Sequence, residues 1–216
     1  MISSDRAGRR EWLALAVLAL PCLVYAVDLT VLTLALPAIS TDLHPSAGQL
    51  LWIIDSYGFA VAGALVTMGA LADRIGARRL LLMGAAAFGA ASLFGAASAS
   101  AGWLIAARAL LGIAGATIAP TTLALIRRLF TDDRQRATAI GVWVASYSLG
   151  AAIGPVVGGI VLDAAGWRAV FALPLPVIVL LLLVGPRRLP ENPEVGPQPN
   201  QLRGAARTET GGGAPR

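Results

Sequence analysis

Three ionisable side chains of this 216-residue chain stand inside apolar runs: Asp28, Asp55 and Arg108. Asp28 is the deepest acid, flanked by Cys22-Leu-Val-Tyr-Ala-Val27 and Leu29-Thr-Val-Leu-Thr-Leu-Ala-Leu36. Insertion scales put a charge at the centre of an apolar span at a cost of about 2.5–3.5 kcal/mol. Water-poor surroundings penalise the ionised form of a carboxyl group, which suits it to taking up and releasing a proton. The alternative is a carboxyl paired with an arginine that only fastens helices together. Arg108 cannot shed its charge. It must meet a carboxylate, face water, or snorkel toward an interface, and a carboxylate on the first apolar run is the obvious partner. Asp55 lies about a turn into its run, where it either attracts cations or is simply wetted.

The other reactive residue types offer little. His44 is the sole histidine and falls in a polar loop, without a partner to act on. Cys22 is the sole cysteine, so it forms no internal disulfide, and no metal-ligand spacing surrounds it. It reads as a small packing residue. Paired catalytic acids, histidine clusters and activated serine or cysteine arrangements are all missing, so no enzyme, metal or cofactor is expected.

These residues need elements to hold them, and composition names the class. Apolar residues make up 56% of the chain and charged residues 13%, against about 25% charged in a soluble domain. Mean hydropathy is +0.72. A soluble fold of this size could not hide that much apolar surface in one core. A span needs roughly 20 mostly apolar residues, and six such stretches occur, at 12–37, 49–71, 80–99, 103–126, 137–162 and 167–185. They are too long and too little alternating for barrel strands. An uncleaved first helix fits better than a signal peptide, because the apolar run passes Val24-Tyr25-Ala26 and continues to Leu36. The expected fold is an all-α, polytopic six-helix bundle embedded in a lipid bilayer.

All 17 basic residues are arginine. Arg6, Arg9, Arg10, Arg74, Arg78, Arg79, Arg127, Arg128, Arg134, Arg136, Arg187, Arg188, Arg203, Arg207 and Arg216 fall on one side, and Arg168 alone on the other. Spread in this way, they are topological anchors rather than a nucleic-acid surface, and they predict a cytoplasmic 1–11 segment and C-terminus. Trp12, Trp52, Trp103 and Trp167 sit near span ends, as interfacial indoles do; Trp143 fits that pattern less well. From about Pro186 to 216 the chain turns rich in Pro, Gly and Arg, the composition of a disordered tail.

Four motifs occur in order along the spans. Gly69-Ala-Leu-Ala-Asp73-Arg74-Ile-Gly76-Ala-Arg78-Arg79 makes a tight charged hairpin after span 2. Leu104-Ile-Ala-Ala-Arg108-Ala-Leu-Leu-Gly112-Ile-Ala-Gly115 occupies span 4. Gly150, Gly154 and Gly158 form one smooth face of span 5, with Pro155 and Gly159 beside it. That face would suit either bundles that rock against each other or a tight static helix contact. Asp28-Leu-Thr-Val-Leu-Thr-Leu-Ala-Leu-Pro37 ends span 1. Together these resemble the major facilitator superfamily, in its branch of fourteen-span drug:proton antiporters. Leu51-Trp-Ile-Ile-Asp55-Ser-Tyr57 is also similar to the second helix of quaternary-ammonium exporters in that branch. Ala77 stands where the family's loop motif usually has a base.

The resemblance covers roughly residues 12–190, an N-terminal half only. It implies spans 1–3 and 4–6 as inverted repeats, and a midplane site worked by rocking bundles. It implies antiport of cationic or amphipathic drugs out of the cell across the inner (plasma) membrane, driven by the proton gradient. Asp28 would couple to protons, with Arg108 tuning it. Asp28, Asp55 and Tyr57 would contact substrate. Gly69, Asp73, Arg74, Gly76, Arg78 and Arg79 would latch one side, and Gly150, Gly154, Pro155, Gly158 and Gly159 would serve the antiporter helix. The rival expectation is a truncated half-transporter, inactive alone or working with a second six- to eight-span bundle or a second copy of itself.

Overall fold

Residues 7–190 are described by a computed structural model of the chain; most of the expected N-terminal segment 1–11 and of the expected disordered tail lies outside them. Helix ends follow local chemistry. Helix α1 (Arg9–Leu43) begins at Gly8, whose N–H donates to Glu11 Oε2 at 2.6 Å. It stops at His44, in the left-handed region (φ 46°), ahead of Pro45. Helix α2 (Ala47–Ile75) carries a reciprocal cap: Ser46 Oγ accepts from Gln49 N, and Gln49 Oε1 accepts from Ser46 N. Gly76 alone separates it from α3 (Ala77–Ala96), at φ 98°, a backbone state that glycine takes without strain.

Helices α4 (Ala101–Gly115) and α5 (Ile118–Leu129) form one span interrupted at Ala116–Thr117. Pro120 has no N–H to give the Ala116 carbonyl, so the ladder breaks there. Helix α6 (Asp133–Ala165) starts under an Asp132 cap on Gln135 N. After Gly166 come α7 (Trp167–Val170) and α8 (Leu175–Arg188), again one broken span.

Six helical stretches among the described residues are long and apolar enough to cross a membrane, and each overlaps an expected span. Boundaries differ. The first runs to Leu43 rather than 37, and the third lies at Ala77–Ala96 rather than 80–99, because the preceding turn needs only Gly76. Helix α8 continues through Pro186 to Arg188, where the sequence suggested the tail begins; Leu189 N still reaches the Gly185 carbonyl at 3.0 Å.

Helix α1 packs on α6, α2 on α4, and α3 on α4, α5 and α8. The central span is α4–α5, with 61% of its apolar window buried; α2 and α6 bury only 17% and 22%. Trp52, Phe59 and Val66 on α2, and Val144, Leu149, Val156 and Ile160 on α6, are therefore exposed. Trp12, Trp52 and Trp103 are exposed as interfacial indoles should be. Trp167 is not: it is buried, and its Nε1 donates to Asp42 Oδ2 at 3.0 Å.

Candidate functional site

The α4 face that meets α1 and α2 carries Arg108, which is 2% exposed. Its Nη1 donates to Asp28 Oδ2 on α1 at 3.0 Å, across 80 residues of sequence. Asp28 is buried as well, so the pair is almost dry. The guanidinium also lies over the Tyr57 ring, 4.3 Å from its centroid. This close approach depends on Gly112 and Gly115. A Cβ on Gly112 would lie 2.4 Å from the Tyr57 carbonyl oxygen, and one on Gly115 2.9 Å from Tyr25 Cε2. Two buried polar atoms remain without a hydrogen-bond partner here, Arg108 Nε and the Tyr57 hydroxyl. A buried ion pair is costly when polar groups are left unsatisfied, and ionisable residues at membrane depth mark functional sites by default.

Toward the arginine-rich end, one turn from Asp28, lies an aromatic group that the sequence reading missed. Tyr25 packs 5.8 Å from Tyr57 and 6.2 Å from Tyr147 of α6, centroid to centroid. Tyr25, Tyr147 and Trp143 line a cavity of about 100 Å³ together with Cys22, Leu65 and Gly115. Trp143, the tryptophan out of place in the interfacial pattern, sits in mid-span and donates from Nε1 to Thr122 Oγ1 at 3.0 Å. The available signal was tyrosine and tryptophan in mid-span, where a polar tip needs a partner.

Asp55 does not join this group. It is exposed on α2, while Tyr57 points inward, because residues two apart on a helix face nearly opposite ways. The structure brings Asp28, Arg108 and Tyr57 together and leaves Asp55 outside that group. In the loop motif, Asp73, Arg74 and Arg79 are exposed at the arginine-rich end. Gly76 makes the turn, Gly69 faces Pro120, and Arg78 donates to the Pro186 carbonyl, tying the hairpin to α8.

The glycine face of α6 is occupied within the bundle. A Cβ on Gly150 would lie 2.3 Å from the Leu23 carbonyl oxygen, on Gly154 2.1 Å from Thr30 Oγ1, and on Gly158 2.4 Å from Val31 Cγ1. These three glycines make a close contact with α1, whereas Pro155 is exposed and Gly159 has nothing within 4 Å. At the end opposite the arginine clusters, a further ion pair escaped the sequence reading: Arg168 Nη1 donates to Asp42 Oδ2 at 2.6 Å and Nη2 to the Ser98 carbonyl. The solitary arginine of that end was its signal.

Residues 18–212 match the sequence profile of the Major Facilitator Superfamily. The multidrug efflux pump LfrA of Mycolicibacterium smegmatis is 49% identical over 197 residues, covering 91% of this chain and 39% of that protein. The methyl viologen resistance protein SmvA of Salmonella typhimurium is 45% identical over 193 residues, covering 89% and 39%. The chain thus spans about two fifths of the length of these relatives. Among solved structures, a bacterial homolog of the human lysosomal transporter Spinster, inward-facing and unoccupied, superposes with a TM-score of 0.73 at 22% identity, over 90% of this chain and 47% of that one. A six-span apolar bundle with this fold, matched by the family profile over most of its length, belongs to the Major Facilitator Superfamily.

Proposed function

We propose that this bundle is the cation- and proton-handling half of a drug exporter of the inner membrane, with both termini in the cytoplasm. The observation that carries the reading is the dry Asp28–Arg108 pair, stacked on Tyr57 and next to the Tyr25–Trp143–Tyr147 cavity. Arg108 stays charged. With Asp28 ionised the pair is neutral; with Asp28 protonated it carries one positive charge. An amphipathic cation is welcome only in the first state, so proton and cation compete for one carboxylate. The aromatic rings of Tyr25, Trp143 and Tyr147 offer π-faces to such a cation. Tyr57 already serves Arg108 in this way. Asp55, exposed near the outer end of α2, adds a negative charge there rather than a contact at the pair.

Export itself belongs to a longer assembly on this reading. The relatives are more than twice this length, and the thinly buried helices α2 and α6 present apolar faces that a second bundle would cover. The Asp73–Arg79 hairpin would latch the two halves on the cytoplasmic side, and the Pro155–Gly159 side of α6 would let them rock. The names of the relatives, multidrug efflux and methyl viologen resistance, support a drug as cargo.

The test is ethidium binding to the purified chain in lipid nanodiscs across pH. Affinity is expected to fall on acidification, by up to about tenfold per pH unit once Asp28 takes the proton. Asp28→Asn, checked for helix content by circular dichroism, should bind weakly and without pH dependence. Wild-type pH dependence surviving in Asp28→Asn would remove Asp28 from the role. On the same reading the chain alone binds but does not transport, which its covering 39% of its relatives supports. Uncoupler-sensitive ethidium efflux from cells making only this chain would overturn that part of it.

A further inference from the structure

A second cavity touches Asp28 from the side away from the aromatic group. It holds about 190 Å³ between α1, α6 and the broken sixth span. Its floor is buried: Val24, Asp28, Val31, Val170 and Pro174. Its mouth is formed by half-buried or exposed residues, among them Ile153 and Val157 of α6 and Leu173 and Val177 of the sixth span. Asp28 supplies the single ionisable side chain in this wall of valines, leucines and proline. Its Oδ2 accepts from Arg108, and among the described residues no hydrogen bond is made to Oδ1.

The backbone beside the cavity is irregular. Between Arg168 and Leu175 the chain goes over to tight i→i+3 bonds: Phe171 N to Arg168 O, Ala172 N to Ala169 O, Leu173 N to Val170 O and Leu175 N to Ala172 O. Pro174 and Pro176 contribute no N–H. Non-helical backbone at membrane depth is tolerated where it is buried or lines a cavity, and a short i→i+3 stretch inside a helix often marks a hinge or local strain. This break borders the cavity through Val170, Leu173 and Pro174.

We infer that this cavity binds the aryl arm of an amphipathic cation whose charged head rests on Asp28 Oδ1. The inference rests on the cation-binding reading of Asp28 and adds a subsite to it. Size fits the occupant: an apolar cavity of about 150 Å³ holds a benzene ring, and this one is a little larger. Charge fits as well, since a lipid acyl chain would fill the valine walls but leave the carboxylate oxygen without a partner, whereas a cationic head satisfies it. The wall is too apolar to hold a chain of ordered waters, each of which needs two or more polar partners. Substrates with one ring next to the charge are therefore selected over small cations and over neutral aromatics.

The experiment compares benzyltrimethylammonium with tetramethylammonium, by competition against ethidium on the full chain in nanodiscs. Wild type is expected to prefer the benzyl cation by about ten- to a hundredfold, the range for burying one ring. Val157→Trp and Val177→Trp, which plug the mouth from two different helices, should each abolish that preference. Val157→Ala should improve binding of a naphthylmethyl cation several-fold, a gain that misfolding cannot mimic. If both tryptophan variants keep the benzyl preference and Val157→Ala gains nothing, lipid fills the cavity and the inference is overturned. If Asp28→Asn leaves both cations bound as in wild type, the cation reading of Asp28 fails first. Loss of both cations in Asp28→Asn, with the benzyl preference intact in the plugged variants, sinks the subsite alone.

Discussion

Arg108 and Asp28 respond differently to losing each other, because only one of them can neutralise itself. Asp28→Asn leaves a buried guanidinium that keeps its charge, with a neutral amide oxygen in place of the carboxylate and the Tyr57 face 4.3 Å away. Breaking a buried pair in this way costs about 3–5 kcal/mol. Arg108→Ala leaves a carboxyl that escapes its isolation by taking a proton. The expected order is therefore wild type most stable, Arg108→Ala intermediate, Asp28→Asn least stable, measured by denaturant unfolding of the purified chain in detergent. The reverse order of the two variants would mean that Arg108 has a second counter-charge. The double variant Asp28→Asn with Arg108→Met should recover most of the loss, since replacing both partners removes the charge that had to be buried.

Helices α1 and α6 share the most extensive contact of any two elements among the described residues, and that contact is set by side chains that are missing. Gly150→Ala would place a Cβ 2.3 Å from the Leu23 carbonyl oxygen, a backbone atom that cannot swing away. Overpacking of that kind typically costs about 1–3 kcal/mol. Gly159→Ala meets nothing within 4 Å and should be neutral or stabilising by up to about 1 kcal/mol through helix propensity. Thermal melts of the two variants, followed by circular dichroism, check the contrast. The same pair of helices marks how far sequence reading reaches. Apolar length and arginine clusters placed every span, because both report directly on water and lipid. A glycine face reports only that something approaches closely, and it does not say what: Gly150, Gly154 and Gly158 turned out to serve α1. Asp28 and Arg108 were legible as charges that need a partner, but their meeting is fixed by packing across 80 residues. Asp55 and Tyr57 looked like neighbours in sequence and were separated by helical rotation. The breaks at Ala116–Thr117 and 171–174 had proline signals, although kinked helices often tolerate proline without breaking.

For the whole molecule, the described bundle has its arginine clusters at one end and the Asp42–Arg168–Trp167 group at the other. With the arginine-rich end in the cytoplasm, His44→Cys should react with a membrane-impermeant maleimide on intact cells, and Arg134→Cys only after permeabilisation. The native Cys22 is buried and adds little background. Labelling of Arg134→Cys from outside would reverse the orientation. The pair formed by Asp42 and Arg168, each about half exposed, is screened by solvent and is expected to contribute little to stability. Asp42→Ala should therefore leave folding intact while removing the acceptor of Trp167 Nε1, read as a change in tryptophan emission. The buried pair at the centre has a different importance, in electrical units. It offers a single carboxylate against a single fixed cation. On the proposed exchange, one proton entering for one monovalent cation leaving moves no net charge across the membrane. That swap is electroneutral, driven by the pH difference and blind to the membrane potential, which is worth about 2.3 kcal/mol per charge per 100 mV. A doubly charged cargo traded for the same single proton would carry one charge outward against that potential, so voltage would sort cargoes by valence.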